Sequence, residues 1–285
     1  MIKFSAFADE ADRSLQGQIE ALKENGISLI ELRSCDGINV GDFTLEYAKQ
    51  VREELDKNGI KVWSLGSPIG KVDITCDFDE YLVKFDNVLK VAKILGADKM
   101  RAFTFFKAYD SKDEVIKKMQ ILADKANEQG VLMCLENEKD VYGDIPSRAL
   151  EVYNGVKGVK LVYDPANYIQ CGISAKDALN ETFSATEYFH IKDVIAESGQ
   201  IVPAGYGDGD ISGMIEKIGN QDAVLTLEPH LMMFDGYGAI DDTELKNKFT
   251  FSNNRESFAF AVKSLTELLE KAGYKKQNGG FELWK

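Results

Sequence analysis

The chain has 285 residues, and its 34 Lys and Arg against 47 Asp and Glu give a formal charge of −13. A chain this acidic repels phosphate backbones, which makes nucleic acids and anionic membranes poor candidates as partners. Hydrophobic residues make up 44% and charged residues 28%, close to an average globular protein, which excludes a disordered or low-complexity chain. One large α/β barrel or two ordinary domains would fit this length.

Cysteine usage and the first residues bear on the cellular compartment. The four cysteines are far apart and form no CxxC pair, which predicts reduced, structural thiols. They are Cys35, Cys76, Cys134 and Cys171. The opening MIKFSAFADEAD shows no basic leader followed by an apolar core, and no apolar run approaches the roughly 18 residues of a membrane span. We expect a cytoplasmic protein that does not enter a membrane.

Short apolar runs alternate with longer amphipathic stretches along the chain, which is the pattern of βα units. Eight runs have the length and composition of buried strands. They are Ile2–Phe7, Ser28–Arg33, Lys61–Leu65, Lys99–Phe103, Val131–Glu136, Val159–Asp164, Glu187–Ile191 and Ala223–Glu228. Glycines shortly before five of these runs predict helix ends at which the chain turns back into a sheet. These glycines are Gly26, Gly59, Gly96, Gly130 and Gly158.

The stretches between the strands carry helical periodicity. Apolar residues from Tyr81 to Leu95 recur at the spacing of one helix face, and those from Phe258 to Leu269 predict a last helix. Two capping boxes are predicted at helix starts. They are Ser111 with Glu114 and Ser174 with Asp177.

Eight evenly spaced βα units without a Pro/Ser-rich linker predict an α/β fold, a single (β/α)₈ TIM barrel, with residues 1–285 as one domain. The alternative is a doubly wound open sheet, which is disfavoured because no G-x-G-x-x-G follows the first strand. The segment Met232–Asn254 is a long connection rich in Gly, Asp, Phe and Asn. We expect it to cover the barrel mouth or to contact a neighbouring subunit.

Four consecutive predicted strands end in a potential metal ligand. Glu136, Asp164 and Glu228 close their strands and His190 lies within its strand, at gaps of 28, 26 and 38 residues. Chemistry in barrels occurs at the carboxyl ends of strands, and neighbouring strands lie roughly 5 Å apart, so these side chains can converge on one ion. Three carboxylates and one imidazole suit a single Mn²⁺, Mg²⁺, Co²⁺ or Zn²⁺ ion.

Strand alternation predicts an inner layer beneath the four ligands, formed by Cys134, Val162, Tyr188 and Thr226. The alternative for each acid is a simple N-cap of the following helix. Glu is a poor N-cap, so four such positions in succession favour a shared site. The only other histidine, His230, is expected to be structural.

At these residues the sequence resembles the xylose isomerase-like TIM barrels, often called sugar phosphate isomerases/epimerases. The resemblance rests on six short motifs in a fixed order and covers essentially the whole chain. They are SPIGK (Ser67–Lys71), LENE (Leu135–Glu138), YDPAN (Tyr163–Asn167), HIKD (His190–Asp193), GYGDGD (Gly205–Asp210) and LEPH (Leu227–His230). The ordered set indicates the family and leaves the substrate open.

The resemblance implies that Glu136, Asp164, His190 and Glu228 hold one divalent ion and that Glu136 and Glu228 also carry protons. Such a site can move a proton next to a carbonyl through an enediolate. We therefore expect a metal-dependent isomerase or epimerase that acts on a sugar, keto-sugar or polyol. The alternatives are a keto-polyol dehydratase of the same fold and a non-catalytic sugar-binding barrel. The family also implies a homo-oligomer, a dimer or tetramer.

The sequence departs from the family pattern at two places. Asn167 stands where many members have a histidine, and Val194, Ile195 and Ala196 stand where many epimerases have an arginine that holds the substrate. Asn167 is kept as a substrate-binding candidate. Lys192 is the nearest cation that could bind a substrate oxygen, and its alternative is a surface lysine at the barrel rim.

Three further side chains are substrate-binding candidates. Arg33 and Arg101 could grip a carboxylate or phosphate, or could neutralise nearby acids such as Glu31. Trp63 could shield the reacting carbons from water, or could pack in the core. The glycines of Gly205–Asp210 could offer backbone N–H groups to a phosphate, although the two aspartates of that run oppose an anion.

Overall fold

A computed structural model describes residues 1–234 and 249–284. All eight predicted strands are present, and each end lies within one residue of its predicted position. They are β1 (Ile2–Ala6), β2 (Leu29–Leu32), β3 (Lys61–Leu65), β4 (Lys99–Ala102), β5 (Leu132–Glu136), β6 (Val159–Tyr163), β7 (Thr186–Ile191) and β8 (Ala223–Leu227).

The eight strands form one curled parallel sheet whose end strand β2 comes round to contact β1. Parallel hydrogen-bonded pairs run in the order β1, β8, β7, β6, β5, β4, β3, β2, and β2 in turn contacts β1. This arrangement confirms the predicted TIM barrel and excludes the open doubly wound sheet. A C-terminal hairpin, Tyr274–Gln277 and Gly280–Leu283, adds to β1 through the pair Ile2 and Phe281.

Nine α-helices lie in the described part of the chain, and they connect the strands. They are α1 (Leu15–Glu24), α2 (Leu45–Lys57), α3 (Phe78–Leu95), α4 (Lys112–Glu128), α5 (Pro146–Gly155), α6 (Pro165–Gln170), α7 (Ala175–Thr182), α8 (Ile211–Ile218) and α9 (Asn254–Lys271). Every consecutive pair of barrel strands is therefore joined through at least one helix, as parallel neighbours require.

The helix ends follow the sequence predictions with one exception. All five glycines predicted before strands have positive φ angles between 68° and 77°, the conformation that ends a helix without strain in glycine. Ser174 caps α7 by accepting a hydrogen bond from the backbone of Asp177. The capping box predicted at Ser111 is wrong, because its side chain makes no capping hydrogen bond to α4.

The predicted inner layer lies inside the barrel. Cys134, Val162 and Tyr188 form a buried cluster with Val224, and Thr226 is fully buried as well. Trp63, Leu29 and Leu132 pack against this cluster, so it is built by side chains from six strands. The layer closes the barrel interior below the four predicted ligands. The four cysteines are free thiols, as expected.

The predicted lid segment and the expected lack of a membrane span can be compared with the described residues only. The segment Met232–Asn254, expected to be a lid or contact surface, falls largely on residues 235–248, which lie outside the described residues. Across the described ranges, none of the helices has the length and apolar character needed to cross a bilayer.

Candidate metal centre

Three acids and one imidazole meet at the carboxyl ends of neighbouring strands. Glu136 ends β5, Asp164 follows β6, His190 lies in β7 and Glu228 follows β8. One ligand-capable atom from each lies within 4.8 Å of the others, and all four side chains are buried. The structure therefore brings the four predicted residues together, while their role as metal ligands stays a prediction.

The spacing and chemistry of these donor atoms fit a divalent ion. His190 Nδ1 lies 3.0 Å from Glu136 Oε1 and 3.1 Å from Glu228 Oε2. Two ligands at right angles on an ion with bonds of ~2.1 Å lie roughly 3.0 Å apart. One buried oxygen of each acid also faces a nitrogen at 3.1 Å: Glu136 Oε2 faces Arg101, Asp164 Oδ2 faces Lys192, and Glu228 Oε2 faces His190. Carboxylate and imidazole donors of this kind suit hard or borderline cations.

Three buried cationic side chains face the acids. The contacts are Arg101 Nη1 to Glu136 Oε2 at 3.1 Å, Lys192 Nζ to Asp164 Oδ2 at 3.1 Å, and Arg33 Nη1 to Glu228 Oε1 at 3.0 Å. Lys192 is only 5% exposed, so the alternative of a surface lysine at the rim is wrong.

The ion-pair contacts of both arginines are to acids other than Glu31, but the pKa of Arg101, which burial would lower, is raised by Glu136, Glu228 and Glu31 together. Arg33 binds Asp9 with both Nε and Nη2, at 2.9 and 3.0 Å, in addition to its contact with Glu228. Arg101 Nη2 donates to the Gly66 carbonyl at 3.2 Å. Both guanidiniums lie against the Phe7 ring, at 4.4 and 4.8 Å from its centroid. Both arginines therefore line the site, already engaged by acids of the chain.

Charge interactions keep the two glutamates ionised. Burial alone would raise the pKa of Glu136, but the charges of His190 and Arg101 outweigh it and lower that pKa. Burial likewise opposes ionisation of Glu228, yet Lys192 and the hydrogen bond from His190 hold its pKa well below the usual range. Both groups are therefore carboxylates at neutral pH and can act as bases.

Asp164 and His190 are shifted upward. Burial raises the pKa of Asp164 to about 7, and the Lys192 charge only partly offsets this. Burial opposes a charged His190, but the carboxylates of Glu136 and Glu31 outweigh it and raise the pKa of His190 well above its usual value. A cation that binds here would displace a proton, as metal sites commonly do.

Asp164 has two roles, which reconciles the cap and ligand alternatives. Its Oδ1 accepts a hydrogen bond from the Asn167 backbone at 2.9 Å and caps α6, while its Oδ2 faces Lys192. Asn137 fixes the Asp164 backbone through both its amide atoms at 2.9 Å. The Asn167 side chain donates to Glu136 Oε1 at 3.3 Å and to the Asn137 carbonyl at 2.9 Å. Asn167 therefore contacts a predicted ligand directly.

Trp63 does not belong to this site and is withdrawn as a substrate-binding residue. It lines cavities with Lys3, Asp222 and Ala223, which lie at the amino ends of their strands. Its ring packs edge-on against Tyr188, in the layer below His190. The predicted shielding of reacting carbons fails because Trp63 is at the opposite end of the barrel from the ligands.

The backbone N–H groups of the glycine-rich run after β7 bind an acid of the chain itself. The Asp193 carboxylate accepts backbone hydrogen bonds from Gly205, Gly207 and Gly209 at 2.8 to 3.0 Å, and from Val194 at 2.9 Å. A Cβ on Gly207 would lie 2.4 Å from the Asp193 side chain, so the close approach needs glycine. The N–H groups considered for a phosphate are therefore filled by Asp193, which corrects that interpretation.

The SPIGK motif shapes the rim of the barrel mouth. Gly70 has a φ of 91°, and a Cβ there would lie 2.0 Å from the Phe103 carbonyl oxygen. Lys71 Nζ contacts Glu138 Oε2 of the LENE motif at 2.7 Å and lies over the Phe103 ring. The two motifs thus tie the loops after β3, β4 and β5 together.

The sequence interpretation missed three acids of the site. Glu31 is fully buried and its Oε2 lies 3.1 Å from His190 Nε2. Asp9 and Glu10 follow β1, so the rule that strand ends carry chemistry could have found them. Glu10 and Glu228 form a second possible cation group with His230. Arg33 Nη2 already lies 3.4 Å from Glu10 Oε1, so a guanidinium faces that group.

These features define a class: a parallel βα barrel with a buried carboxylate and imidazole cluster at its carboxyl end. The sequence profile of the xylose isomerase-like TIM barrel family matches residues 19–232. The chain belongs to that family. No curated protein matches the sequence at the level required for a relative.

Solved structures share the fold at low sequence identity. A probable 3-DHS dehydratase, AsbF, from Bacillus anthracis superposes with a TM-score of 0.71 at 16% identity, covering 93% of this chain and 99% of its own. IOLI protein, solved with a bound zinc atom, gives 0.71 at 19% identity, covering 94% and 98%. A D-psicose 3-epimerase solved with D-fructose gives 0.69 at 16% identity, covering 93% and 97%.

Proposed function

We propose that the protein is a divalent-metal-dependent isomerase or epimerase of a sugar, keto-sugar or polyol. It would abstract a proton next to a carbonyl and work through an enediolate. Glu136 and Glu228 are its proposed catalytic residues. The proposed ion is one Mn²⁺, Mg²⁺, Co²⁺ or Zn²⁺, and a D-psicose 3-epimerase and a zinc-bound IOLI protein among structures of the same fold support this assignment.

The observation that carries the proposal is that two buried glutamates share one partner. Glu136 Oε1 and Glu228 Oε2 face the same nitrogen of His190, at 3.0 and 3.1 Å. Their strands, β5 and β8, have β6 and β7 between them, so the two carboxylates approach the shared space from different sides. Isomerases of this chemistry need two such proton carriers, whereas simple sugar binding needs none.

Each group has a definite task in the proposed reaction. An ion held by Glu136, Asp164, His190 and Glu228 would supply Lewis-acid polarisation of a substrate carbonyl. One glutamate would remove the proton from the adjacent carbon, and the other would return a proton. Return to the opposite face of the same carbon gives an epimer, and return to the neighbouring carbon exchanges aldose and ketose.

Substrate oxygens would be held by the polar groups around the cluster. Lys192 is buried beside Asp164, and its ammonium can donate to a substrate hydroxyl or carbonyl. Asn167 lies against Glu136 and can donate an amide hydrogen. Arg33 and Arg101 are proposed as further substrate contacts, each already paired with one of the glutamates. Orientation by several donors is what makes proton transfer efficient.

A keto-polyol dehydratase is the second candidate function. The fold is shared with a probable 3-DHS dehydratase, and proton abstraction next to a carbonyl is the first step of both reactions. Product analysis separates the two candidates, because an isomerase conserves the mass of its substrate and a dehydratase releases water.

The test is hydrogen exchange by the metal-loaded protein. A panel of keto-sugars and polyols is incubated with the Mn²⁺-loaded protein in deuterated water, and deuterium at carbon is followed by NMR and mass spectrometry. We expect incorporation with the correct substrate and its loss in Glu228→Gln, with the metal content unchanged. Glu46→Gln is the matched control, since that glutamate is 74% exposed on α2 and should leave exchange intact.

Two results would count against the proposal. Exchange at an undiminished rate in Glu228→Gln would remove the glutamate from the mechanism. Tight sugar binding without exchange or product across the panel would favour the non-catalytic sugar-binding barrel.

Three further assignments belong to the same proposal. We propose that residues 1–285 act as one domain, that the only partner needed for catalysis is the small-molecule substrate, and that the protein is a cytoplasmic homo-oligomer. Analytical ultracentrifugation tests the last of these, with a monomer at micromolar concentration as the contrary result.

A further inference from the structure

We propose that Glu31 is a positioning residue of the metal centre, which holds the His190 ring so that Nδ1 faces the ion and Nε2 keeps the proton. This inference rests on the proposed function. It adds a residue on β2, three strands from β7 around the barrel, to a centre otherwise built from β5, β6, β7 and β8.

The two nitrogens of the His190 ring face different acids. Nδ1 points toward Glu136 and Glu228, at 3.0 and 3.1 Å, and Nε2 lies 3.1 Å from Glu31 Oε2. A carboxylate only accepts hydrogen bonds, so without an ion either ring nitrogen can donate to the acid that faces it. An ion bound by Glu136 and Glu228 would take the lone pair of Nδ1, and Nε2 would then keep its hydrogen and donate it to Glu31. Histidine ligands commonly have such a partner for their second nitrogen.

The other oxygen of Glu31 is fixed by the same strand. Tyr188 donates its hydroxyl hydrogen to Glu31 Oε1 at 2.7 Å, and the Ser64 hydroxyl lies 3.2 Å from that phenol. Tyr188 and His190 are two residues apart on β7 and therefore face the same side. The Glu31 carboxylate thus bridges two rings of one strand, which leaves it little freedom to rotate.

Ordinary alternation along β2 points Glu31 inward, because Leu29 packs against the inner layer two residues before it and Arg33 lines the site two residues after it. The pairing of β2 with β3 shifts at this height: Ile30 pairs with Val62, but Glu31 pairs with Ser64. Trp63 is the extra residue, so the irregularity lies on β3 and brings Ser64, whose hydroxyl contacts the Tyr188 hydroxyl, opposite Glu31. Glu31 is fully buried, although a lone acid on a barrel strand would ordinarily be costly to bury.

The close ionic contact of Glu31 is with His190, while the charge of Arg101 acts on it from a greater distance. Among the ion pairs of the described residues, Arg33 contacts Asp9, Glu10 and Glu228, and Arg101 contacts Glu136 and Glu228. The ionic partner of Glu31 in that set is His190. Glu31 also lies behind the ring, on the side away from the cluster, so it acts through His190 and is not itself a ligand.

The test uses Zn²⁺ as a diamagnetic probe. The chain contains only two histidines, so the ring signals of ¹⁵N-labelled protein can be assigned with one His230→Asn variant. Two-bond ¹H–¹⁵N correlation spectra of the Zn²⁺-loaded protein report which nitrogen of His190 is protonated. Zn²⁺ affinity is measured separately by competition with a chromophoric chelator.

We expect the wild type to show an Nε2-protonated His190 with Nδ1 bound. Glu31→Leu should weaken Zn²⁺ binding by about 10- to 100-fold, the usual effect of losing such a partner, and should lose the single tautomer. Glu31→Gln keeps an acceptor oxygen and should restore most of the affinity. Tyr188→Phe is the matched control: it removes the contact to Oε1, leaves the contact to Nε2, and should cost only a few-fold.

Each result has a distinct meaning. An Nδ1-protonated His190, or wild-type Zn²⁺ affinity and tautomer in both Glu31 variants, overturns the role of Glu31 and leaves the proposed metal centre standing. A wild type that binds no Zn²⁺ overturns both the centre and this inference. A loss of thermal stability without a change in affinity or tautomer assigns Glu31 a structural role only and refutes the proposal.

Discussion

The buried ion pair between Lys192 and Asp164 makes a sharp prediction about stability. The two groups are 3.1 Å apart and are 5% and 0% exposed. Lys192→Met removes the ammonium and leaves a buried carboxylate without its cation. Breaking such a pair costs about 3–5 kcal/mol when the remaining group stays charged. In a chain of this size that corresponds to a fall in melting temperature of roughly 6–10 °C.

The stability lost in Lys192→Met depends on pH, and the pKa of Asp164 decides in which direction it changes. Burial raises the pKa of Asp164 to about 7 with Lys192 present, so the acid is largely protonated near pH 6. Lys192 then neutralises little charge on Asp164 but still faces the ionised Glu228, so the substitution should cost about 1–3 kcal/mol, less than at high pH. As pH rises through 7, Asp164 of the wild type ionises beside Lys192. In the variant the pKa of Asp164 is still higher, so its folded state continues to lose stability relative to the unfolded chain as pH rises further. The loss therefore grows between about pH 6 and pH 8.5.

The assay is urea unfolding in chelator-treated buffer at both pH values. Lys263→Met is the matched control, because that lysine is 70% exposed and lies 3.9 Å from Glu267; it should change stability by less than about 0.5 kcal/mol. Asp164→Asn combined with Lys192→Met should recover part of the loss, since no unpaired charge remains. The reasoning is refuted if Lys192→Met costs no more than the control, or costs the same at both pH values.

Three other predictions follow from the same structure. Asp193→Ala leaves the amides of Gly205, Gly207 and Gly209 without their acceptor, and it should lower the free energy of unfolding in urea by about 2–4 kcal/mol. Asp193→Asn keeps an acceptor oxygen and should cost less. Equal losses in the two variants would contradict the hydrogen-bond argument. Burial raises the pKa of Glu10 to about 8, so the contribution of Glu10 to the stability of the folded protein falls as pH rises from about 5 to 8. Glu10→Gln should therefore gain stability over the wild type across that range, by up to about 4 kcal/mol, and a pH-independent difference would exclude it. Removal of metal by a chelator should lower the melting temperature, and added Mn²⁺ should restore it. A melting temperature that changes with neither treatment would count against the proposed metal centre.

The sequence predicted the barrel well because its strands are buried on both faces. Parallel strands of this kind appear as continuous apolar runs, and each run ended within one residue of its predicted position. The four candidate ligands were found for a related reason. Glu136, Asp164 and Glu228 interrupt apolar runs at spacings of about one βα unit, which places them at equal heights in the barrel.

Other features depended on information that a linear pattern does not contain. Alternation along β2 puts Glu31 on the inner face, but its contact with His190, 159 residues away in the sequence, depends on the relative heights of β2 and β7. Trp63 was placed near the substrate because its height along β3 was not known. The glycines of Gly205–Asp210 suggest an anion, and the anion is Asp193, which lies 12 to 16 residues before the glycines that it binds.

Charge balance gives a physical argument about the substrate. Six acids and three cations of the site are buried, and the acids outnumber the cations by three. They are Asp9, Glu10, Glu31, Glu136, Asp164, Glu228, Arg33, Arg101 and Lys192. A divalent ion would supply two of the missing charges and leave one negative charge, or none where Glu10 is protonated. With His190 neutral as a ligand, the occupied site carries no net positive charge. An anionic substrate would then enter a buried space with no unpaired cation to receive it, which is costly, whereas a neutral sugar needs only the hydrogen bonds that Lys192 and Asn167 can provide. This balance supports an uncharged sugar or polyol over a phosphorylated one, and a panel that turns over only sugar phosphates would refute it.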